Sequence, residues 1–349
     1  MHVALDITPI DSKSKSQHKV RGVGKYISLL RDNIEKFDKD NSYSFTSNPQ
    51  SVGADVIHYP YFDPFFITLP FRNTTRTIVT VHDLIPLVHK KEFPVGVKGM
   101  LKWSINKKLL QRVNGIITDS IASKEDVNMV AGIDSAKIYP VHLSADQIFE
   151  KKKISDFDKK SFLNKYSLPE NFFLYVGDVT WNKNLPRLIE SVNTVKIPLV
   201  MVGKAIAEEN FDNANAWNRD RIIVNEKTKN NPLFIKLGFI SNEDLAILYN
   251  LSRGLVMPSL DEGFGLPVLE AMQSGCPVIT SRCGSLAEVG GAAVEYVEVN
   301  SVDDIARGIE AVAKNKEYAD ILSRRGIEQA AKFTIKKMIE ETVSVYNHT

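Results

Sequence analysis

Short apolar strands alternating with amphipathic helices along 349 residues predict an α/β protein with parallel sheets. Two observations divide it into two similar domains with a cleft between them. The length exceeds what one hydrophobic core comfortably fills. A polar, lysine-rich stretch closed by a proline, EKKKISDFDKKSFLNKYSLPEN, interrupts the alternation near the middle and reads as a linker. The expected organisation is a first domain over 1–155 and a second over 156–330. A terminal helix, 331–349, is expected to cross back onto the first domain.

In the first half, His2 to Ile7 reads as the opening strand, with Asp55 to Tyr59 and Thr77 to His82 as two more. A long helical stretch then runs to about Arg112. Gly115 to Asp119 is a strand, Lys124 to Val130 a helix, and Lys137 to Val141 closes the set. In the second half the strands are Phe172 to Val176, Leu199 to Val202, Ile235 to Leu237, Gly254 to Met257 and Pro277 to Thr280. Helices at Asn184 to Val195, Asn242 to Asn250, Val302 to Lys314 and Tyr318 to Lys332 fill the intervals. No repeat of 20–50 residue period and no low-complexity tract interrupts the pattern.

Composition excludes several function classes. The formal net charge of +2 carries no overall polyanion signature, so nucleic acid is not an expected partner. The two cysteines, Cys276 and Cys283, lack the neighbouring His or Cys of a zinc site and read as free thiols of a reducing compartment. MHVALDITPI has no basic leader or cleavage site, so it is not expected to be a signal peptide. No run of about 18 apolar residues is present to span a membrane. The expected location is the cytoplasm or the cytoplasmic face of a membrane.

The segment PSLDEGFGLPVLEAMQSGCPVIT, 258–280, carries the clearest chemistry. A buried strand ends at Pro258, and a polar loop follows through Leu266. Pro267 suits a first helical turn, where its fixed φ fits and its missing N–H costs nothing. Gly275 caps the helix and Pro277 prevents its continuation. Strand, glycine-containing loop and helix N-terminus together favour an anion, through backbone N–H groups and the helix dipole. Gly263 and Gly265 allow the backbone to approach a ligand closely. Glu262 lies in the loop. Glu270, placed in the first helical turn, either complements the dipole or accepts hydrogen bonds from vicinal hydroxyls such as those of a ribose.

Glu262 and Glu270 form an E-x7-E pair, and EGFGLPVLEAMQSGCPVI with GSLAEVGGAA (284–293) resembles the C-terminal signature of retaining GT-B glycosyltransferases of family 4, the group 1 transferases. The resemblance runs through essentially the whole chain. It implies two Rossmann-like domains facing each other across a cleft, and a donor held by Gly263, Phe264, Gly265 and Leu266 together with Glu270. RGVGKYISLL (21–30) looks like the family's glycine loop, which implies that Gly22 and Gly24 border the phosphates and acceptor. As a dinucleotide fingerprint the same G-x-G is incomplete, because Ile27 stands at the third glycine position and a polar insertion, Asp11 to Val20, precedes it.

VTVHDLIPL (79–87) resembles the segment whose histidine contacts the donor sugar, so His82 would hydrogen-bond a hexose hydroxyl; read alone, a strand-end histidine can equally be structural. ITDSIASKEDV (117–127) is similar to a donor-side stretch that includes Ser120. YVGDVTWNKNLPRLI (175–189) resembles the diphosphate-binding strand–loop–helix, with Asn182 on the donor and Lys183 as counter-ion. The family pairs this lysine with an arginine, whereas this chain has Asp178 and Asn182 there; Arg187 and Lys204 are the nearest candidates to substitute. KLGFISNEDLAILY (236–249) looks like the nucleobase side, with Phe239 as a wall. Asp156 and Asp158 make a D-x-D, a metal motif in other glycosyltransferases, but here in the presumed linker, so no metal is expected.

Residues 90–112 hold seven Lys/Arg against one Glu, with Phe93, Val97, Leu101, Trp103, Ile105, Leu109 and Leu110 interspersed. This pattern is either a solvated charged face over a core or a basic amphipathic helix, with an interfacial Trp103, lying on an anionic membrane. The resemblance implies metal-independent transfer of a hexosyl group with retained configuration, catalysed by Glu262, His82 and Lys183. The donor would be a nucleotide-diphosphate sugar, GDP-mannose ahead of UDP-sugars, with no cofactor. The acceptor would be a hydroxyl of a glycan or lipid-linked glycan in surface polysaccharide (lipopolysaccharide) synthesis. The rival readings are an inactive homologue serving as a scaffold and another sugar-nucleotide enzyme such as an epimerase.

Overall fold

The computed structural model describes residues 1–11, 22–72 and 74–349. Arg21 and residues 12–20 of the polar insertion lie outside them. The chain divides into two compact units, Met1–Ser144 with Phe333–Thr349, and Ala145–Lys332.

In the first unit, β1 (His2–Asp6) leads to α1 (Gly22–Phe37), β2 (Ser42–Thr46), β3 (Val56–Tyr59) and β4 (Arg76–Val81). Then come α2 (Ile85–Val88), α3 (Gly96–Leu110), β5 (Gly115–Thr118), α4 (Ile121–Ala131) and β6 (Ile138–Pro140). The strands form one parallel sheet in the order β2-β1-β3-β4-β5-β6. Its inner strands are buried on both faces, as their runs of Val and Ile require. Helix α1 buries Tyr26, Ile27, Leu30 and Ile34, one stripe at helical spacing. β2 reads weakly in the sequence because SYSFT lies half-exposed at the sheet edge.

The second unit begins with α5 (Asp156–Lys165), β7 (Phe173–Val176), α6 (Leu185–Val195), β8 (Leu199–Val202), α7 (Lys204–Ala207) and α8 (Arg219–Thr228). It continues with β9 (Phe234–Leu237), α9 (Asn242–Leu251), β10 (Leu255–Met257) and α10 (Leu266–Gln273). β11 (Val278–Thr280), α11 (Leu286–Gly290), β12 (Glu295–Tyr296), α12 (Val302–Lys314) and α13 (Lys316–Ala330) complete it. The sheet is again parallel, in the order β12-β11-β10-β7-β8-β9. Counted from β7, that is the Rossmann order, with its reversal point between β7 and β10.

The boundary falls at Ser144/Ala145 rather than at 155, because the residues after it are tied into the second unit. The Asp146 carbonyl accepts from Gln273 (3.0 Å), and Asn250 bonds the Glu150 carbonyl (2.9 Å) and the Lys152 N–H (2.7 Å). The presumed linker is itself helical. Ser155 caps α5 by accepting from the Asp158 N–H at 3.1 Å, and donates to the Asp158 carboxylate at 2.6 Å. Asp156 and Asp158 of the D-x-D therefore occupy the first turn of a helix, where their charge favours the dipole.

Helix α14 (Ile335–His348) belongs to the first unit and packs on α1 and β5. A buried polar chain anchors it. Tyr346 Oη lies 2.7 Å from His58 Nδ1, His58 Nε2 lies 2.8 Å from Thr80 Oγ1, and Thr80 Oγ1 lies 3.1 Å from Tyr26 Oη. Burial, with a smaller contribution from the charge of His82, pushes the His58 imidazole down to about 3 from 6.5. The folded unit thus keeps His58 neutral while the unfolded chain protonates it. Its contribution to stability is complete above pH ~6.5 and is lost as pH falls toward about 3. Denaturant titrations from pH 7 to 4 should show stability falling by up to about 1.4 kcal/mol per pH unit from this group. His58→Gln should be less stable at pH 7 but flatter with pH; an equal slope in the variant would refute the assignment.

Candidate functional site

In an open parallel sheet, ligands sit outside the carboxyl ends of the strands at the reversal point. In the second unit those ends are the loops after β7 and β10, and the sequence between them is organised by side chains that bind the opposite loop's backbone. Asn182 donates through Nδ2 to the Asp261 carbonyl (3.0 Å), and its own carbonyl accepts from the Leu260 N–H (2.7 Å). Asn184 donates to the carbonyls of Pro258 (3.0 Å) and Val299 (2.8 Å). Ser285 binds the Glu262 carbonyl through both N–H (3.1 Å) and Oγ (2.9 Å).

These ties bring Lys183 and Glu262 together. Lys183 Nζ donates to both carboxylate oxygens of Glu262 at 2.7 Å, and Ser259 Oγ donates to Oε1 at 2.7 Å. The side chains are 19% and 8% exposed, so the pair is largely desolvated. Its charge also reaches Tyr175, whose phenol is pushed well above its ordinary value by burial first and then by Glu262. Gly284 has φ +56°, and a Cβ there would come within 2.5 Å of Asp261 Oδ1 and 2.6 Å of the Glu262 carbonyl oxygen. Only glycine lets the loop after β11 close over Glu262.

Gly265, at φ +94°, is the N-cap of α10 and supplies no side-chain cap. The helix starts at Leu266, with Pro267 in its first turn. Glu270 is consequently in the second turn, not the first, too far along to be a dipole partner of the N-terminus. It is 3% exposed and accepts from Tyr249 Oη at 3.1 Å. Burial and the Glu270 charge raise the Tyr249 phenol well above its ordinary value, keeping it a donor. Phe264 is buried, while Gly263 and Leu266 are partly exposed. Phe239 is 66% exposed, next to Gly238 after β9. At position 182 the asparagine staples the two loops. Arg187 donates to Asn184 Oδ1 at 2.9 Å, beside the pair.

The first unit holds the remaining expected residues. Gly22 and Gly24 open α1, and Ser120 caps α4 by accepting from the Ser123 N–H at 3.0 Å. His82 follows β4, with Nδ1 2.7 Å from Asp119 Oδ2 and Nε2 3.2 Å from the Pro60 carbonyl. Both ring nitrogens are engaged. Burial lowers the affinity of His82 for a proton, but the charge and hydrogen bond of Asp119 outweigh it, and the net shift is upward. Asp119, Ser259, Ser285 and Tyr249 were not singled out in the sequence. Asp119 alone carried a signal, a carboxylate ending a buried strand. Trp103 is 5% exposed and part of the core, so it is not an interfacial residue. The exposed apolar side chains of α3 are Val97, Met100 and Leu101. Among the described residues no three His, Cys, Asp or Glu side chains gather into a metal group.

Removing one partner of a buried ion pair leaves the other charge uncompensated. Lys183→Met should destabilise the second unit by about 3 kcal/mol, and Glu262→Gln in that background should restore part of the loss. A double variant no more stable than Lys183→Met alone, in denaturant melts, would show the pair to be energetically idle.

Comparison with known proteins places this geometry. Residues 156–329 match the family described as glycosyl transferases group 1. The serotype-specific mannosyltransferase WbdA of Escherichia coli is 27% identical over 297 residues, covering 81% of this chain and 36% of WbdA, so the chain spans about a third of that relative's length. The O-antigen chain mannosyltransferase B of Escherichia coli is 28% identical over 349 residues, covering 96% of this chain and 86% of the relative. Alr3699/HepE of Anabaena, solved with UDP and glucose, superposes with a TM-score of 0.73 at 14% identity, covering 100% of this chain and 99% of that one, a likeness of fold. The residues that join Lys183 to Glu262 thus lie within a glycosyl transferases group 1 domain, and the chain belongs to that glycosyltransferase family, with the GT-B class of fold.

Proposed function

We propose that the chain transfers a hexosyl group, mannose foremost, from a nucleotide-diphosphate sugar to a hydroxyl of a glycan or lipid-linked glycan, in surface polysaccharide synthesis at the cytoplasmic side of the cell. The observation that carries this reading is the Lys183–Glu262 pair at the sheet's reversal point, beside the N-terminus of α10. GDP-mannose is the preferred donor because the relatives above are mannosyltransferases. Glu270 and Tyr249 serve the ribose side, Phe239 walls the base, and Gly263 to Leu266 offer their backbone to phosphate.

In the proposed reaction the acceptor oxygen bonds to the anomeric carbon from the face that the diphosphate leaves. The carbon–oxygen bond to phosphate breaks with its electron pair, and the acceptor proton passes to the departing phosphate oxygen. The products are a glycoside of retained configuration and a nucleoside diphosphate. Charge grows on the leaving group, so a fixed cation is the group most needed, and Lys183 supplies it. Glu262 positions the sugar and stabilises positive charge at the anomeric carbon; no carboxylate nucleophile or metal enters.

A thermal-shift panel of nucleotide sugars should single out GDP-mannose, and GDP release from it without acceptor should be measurable. Glu262→Gln and Lys183→Met should each lower that release about a hundredfold. Near-wild-type turnover in either would overturn its role, and no turnover with any donor would favour the scaffold reading.

A second observation bears on the acceptor. Phe66 (63% exposed), Val97 (87%) and Leu101 (64%) are exposed large hydrophobics of the first unit. Lys102 Nζ lies 4.8 Å from the Phe66 ring centre. Asn106 of α3 holds the 63–66 loop against the helix through the carbonyls of Asp63 (3.1 Å), Pro64 (3.0 Å) and Phe66 (2.8 Å). No helix among the described residues is long and apolar enough to cross a membrane. Exposed apolar side chains with a lysine beside them suit an anionic bilayer, where a lipid-linked acceptor resides. Flotation with anionic vesicles should recover the protein at low salt and lose it for Phe66→Glu/Leu101→Glu. Equal recovery of the variant, or none of the wild type, would remove the membrane from the proposal.

A further inference from the structure

At the carboxyl edge of the first unit's sheet, three successive strand ends meet: Pro60 after β3, His82 after β4 and Asp119 after β5. The chemistry of His82's two partners is restrictive. The Pro60 carbonyl can only accept a hydrogen bond, so Nε2 carries a proton. Asp119, as a carboxylate, can also only accept, so Nδ1 carries a second one. The other oxygen of Asp119, Oδ1, is buried with no hydrogen-bond partner among the described residues, so the carboxylate's side-chain hydrogen bonding falls on Oδ2 and His82.

We propose that Asp119 is a positioning residue that holds His82 doubly protonated, so that this strand edge presents a substrate with a hydrogen-bond donor and a fixed cation, never a base. The matching group on the substrate is an acceptor, a hydroxyl lone pair or a phosphate oxygen, which takes the Nε2 proton in place of the Pro60 carbonyl. This rests on the glycosyl-transfer reading for its role in turnover, but not for the state of the ring.

The surrounding groups agree with a cation at His82. Asp83, the next residue, adds negative charge, and the Tyr26 ring meets the imidazole edge-on at 5.1 Å between centroids. The charge of His82 helps to keep His58 on β3 neutral. His142 faces Asp119 and lowers its proton affinity, although burial dominates and the carboxyl stays above its usual range.

The test is a nitrogen NMR titration of the histidine rings between pH 6 and 9 in the wild type, with the His82 signals assigned by their loss in His82→Gln. His82 should show an imidazolium pattern through pH 7 beside the neutral ring of His58. Asp119→Asn should deprotonate it at least about one pH unit lower. The alkaline limb of the pH profile for nucleotide-sugar hydrolysis should move to acid by a similar interval, with kcat affected more than KM. A neutral His82 ring at pH 7 in the wild type would overturn the proposal without any variant. A lowered kcat in Asp119→Asn with an unmoved profile would reduce Asp119 to a structural role and overturn it equally. If no nucleotide sugar were turned over, the glycosyl-transfer reading would fall, and the ring spectra would still decide the protonation.

Discussion

A lysine ammonium shared by both oxygens of one buried carboxylate is the constraint around which the second unit is arranged. Taking Lys183 or Glu262 out of water alone would cost several kcal/mol, so each is tolerable only where the other is held within hydrogen-bond reach. The two residues are far apart in sequence; Lys183 ends a single 3-10 turn, Trp181–Lys183, and Glu262 sits on a loop. Asn182, Asn184 and Ser285 supply the missing rigidity by binding the carbonyls of Asp261, Pro258 and Glu262. The asparagines and serines of these loops therefore set the position of the charge pair.

The pair also sets terms for a ligand. A diphosphate that draws Lys183 toward itself removes the carboxylate's principal partner, and Ser259 with one hydrogen bond cannot replace it. Sugar hydroxyls can, because each donates while leaving its oxygen free to accept. In the proposed reaction a nucleoside diphosphate shares Lys183 with Glu262, whereas a nucleotide sugar engages the lysine and adds hydroxyl donors to the glutamate. Selectivity for the intact donor then follows from the pairing itself, before any contact to the base.

What the sequence made legible was the part governed by local rules. Proline at 258, 267 and 277 and glycine at 275 mark strand end, helix start and helix stop, and α10, Leu266–Gln273, lies between those marks. α12 and α9 were legible for the same reason, a regular apolar stripe behind a serine cap. The failures are contacts made at a distance or patterns that composition disguises. Residues 156–165 are so polar that α5 passed for a linker, although Ser155 is a sound cap. Trp103 sits among lysines in sequence and in the core in space, because a helix of weak periodicity does not announce which face is buried. Tyr249 finds Glu270, and Asp119 finds His82, only once the sheets have formed. The E-x7-E spacing pointed to one loop and the helix that follows it. It could not show that Lys183 already occupies the first glutamate.

The most direct test of this arrangement is calorimetric binding of GDP and UDP against GMP and UMP, for the wild type and for Lys183→Met. If Lys183 is the cation that receives a diphosphate, the wild type should bind one diphosphate at least about tenfold more tightly than its monophosphate, roughly 1.4 kcal/mol. That advantage should vanish in Lys183→Met. Equal affinity for mono- and diphosphates in the wild type, or an advantage that survives the substitution, would contradict the assignment of this loop pair as the diphosphate site.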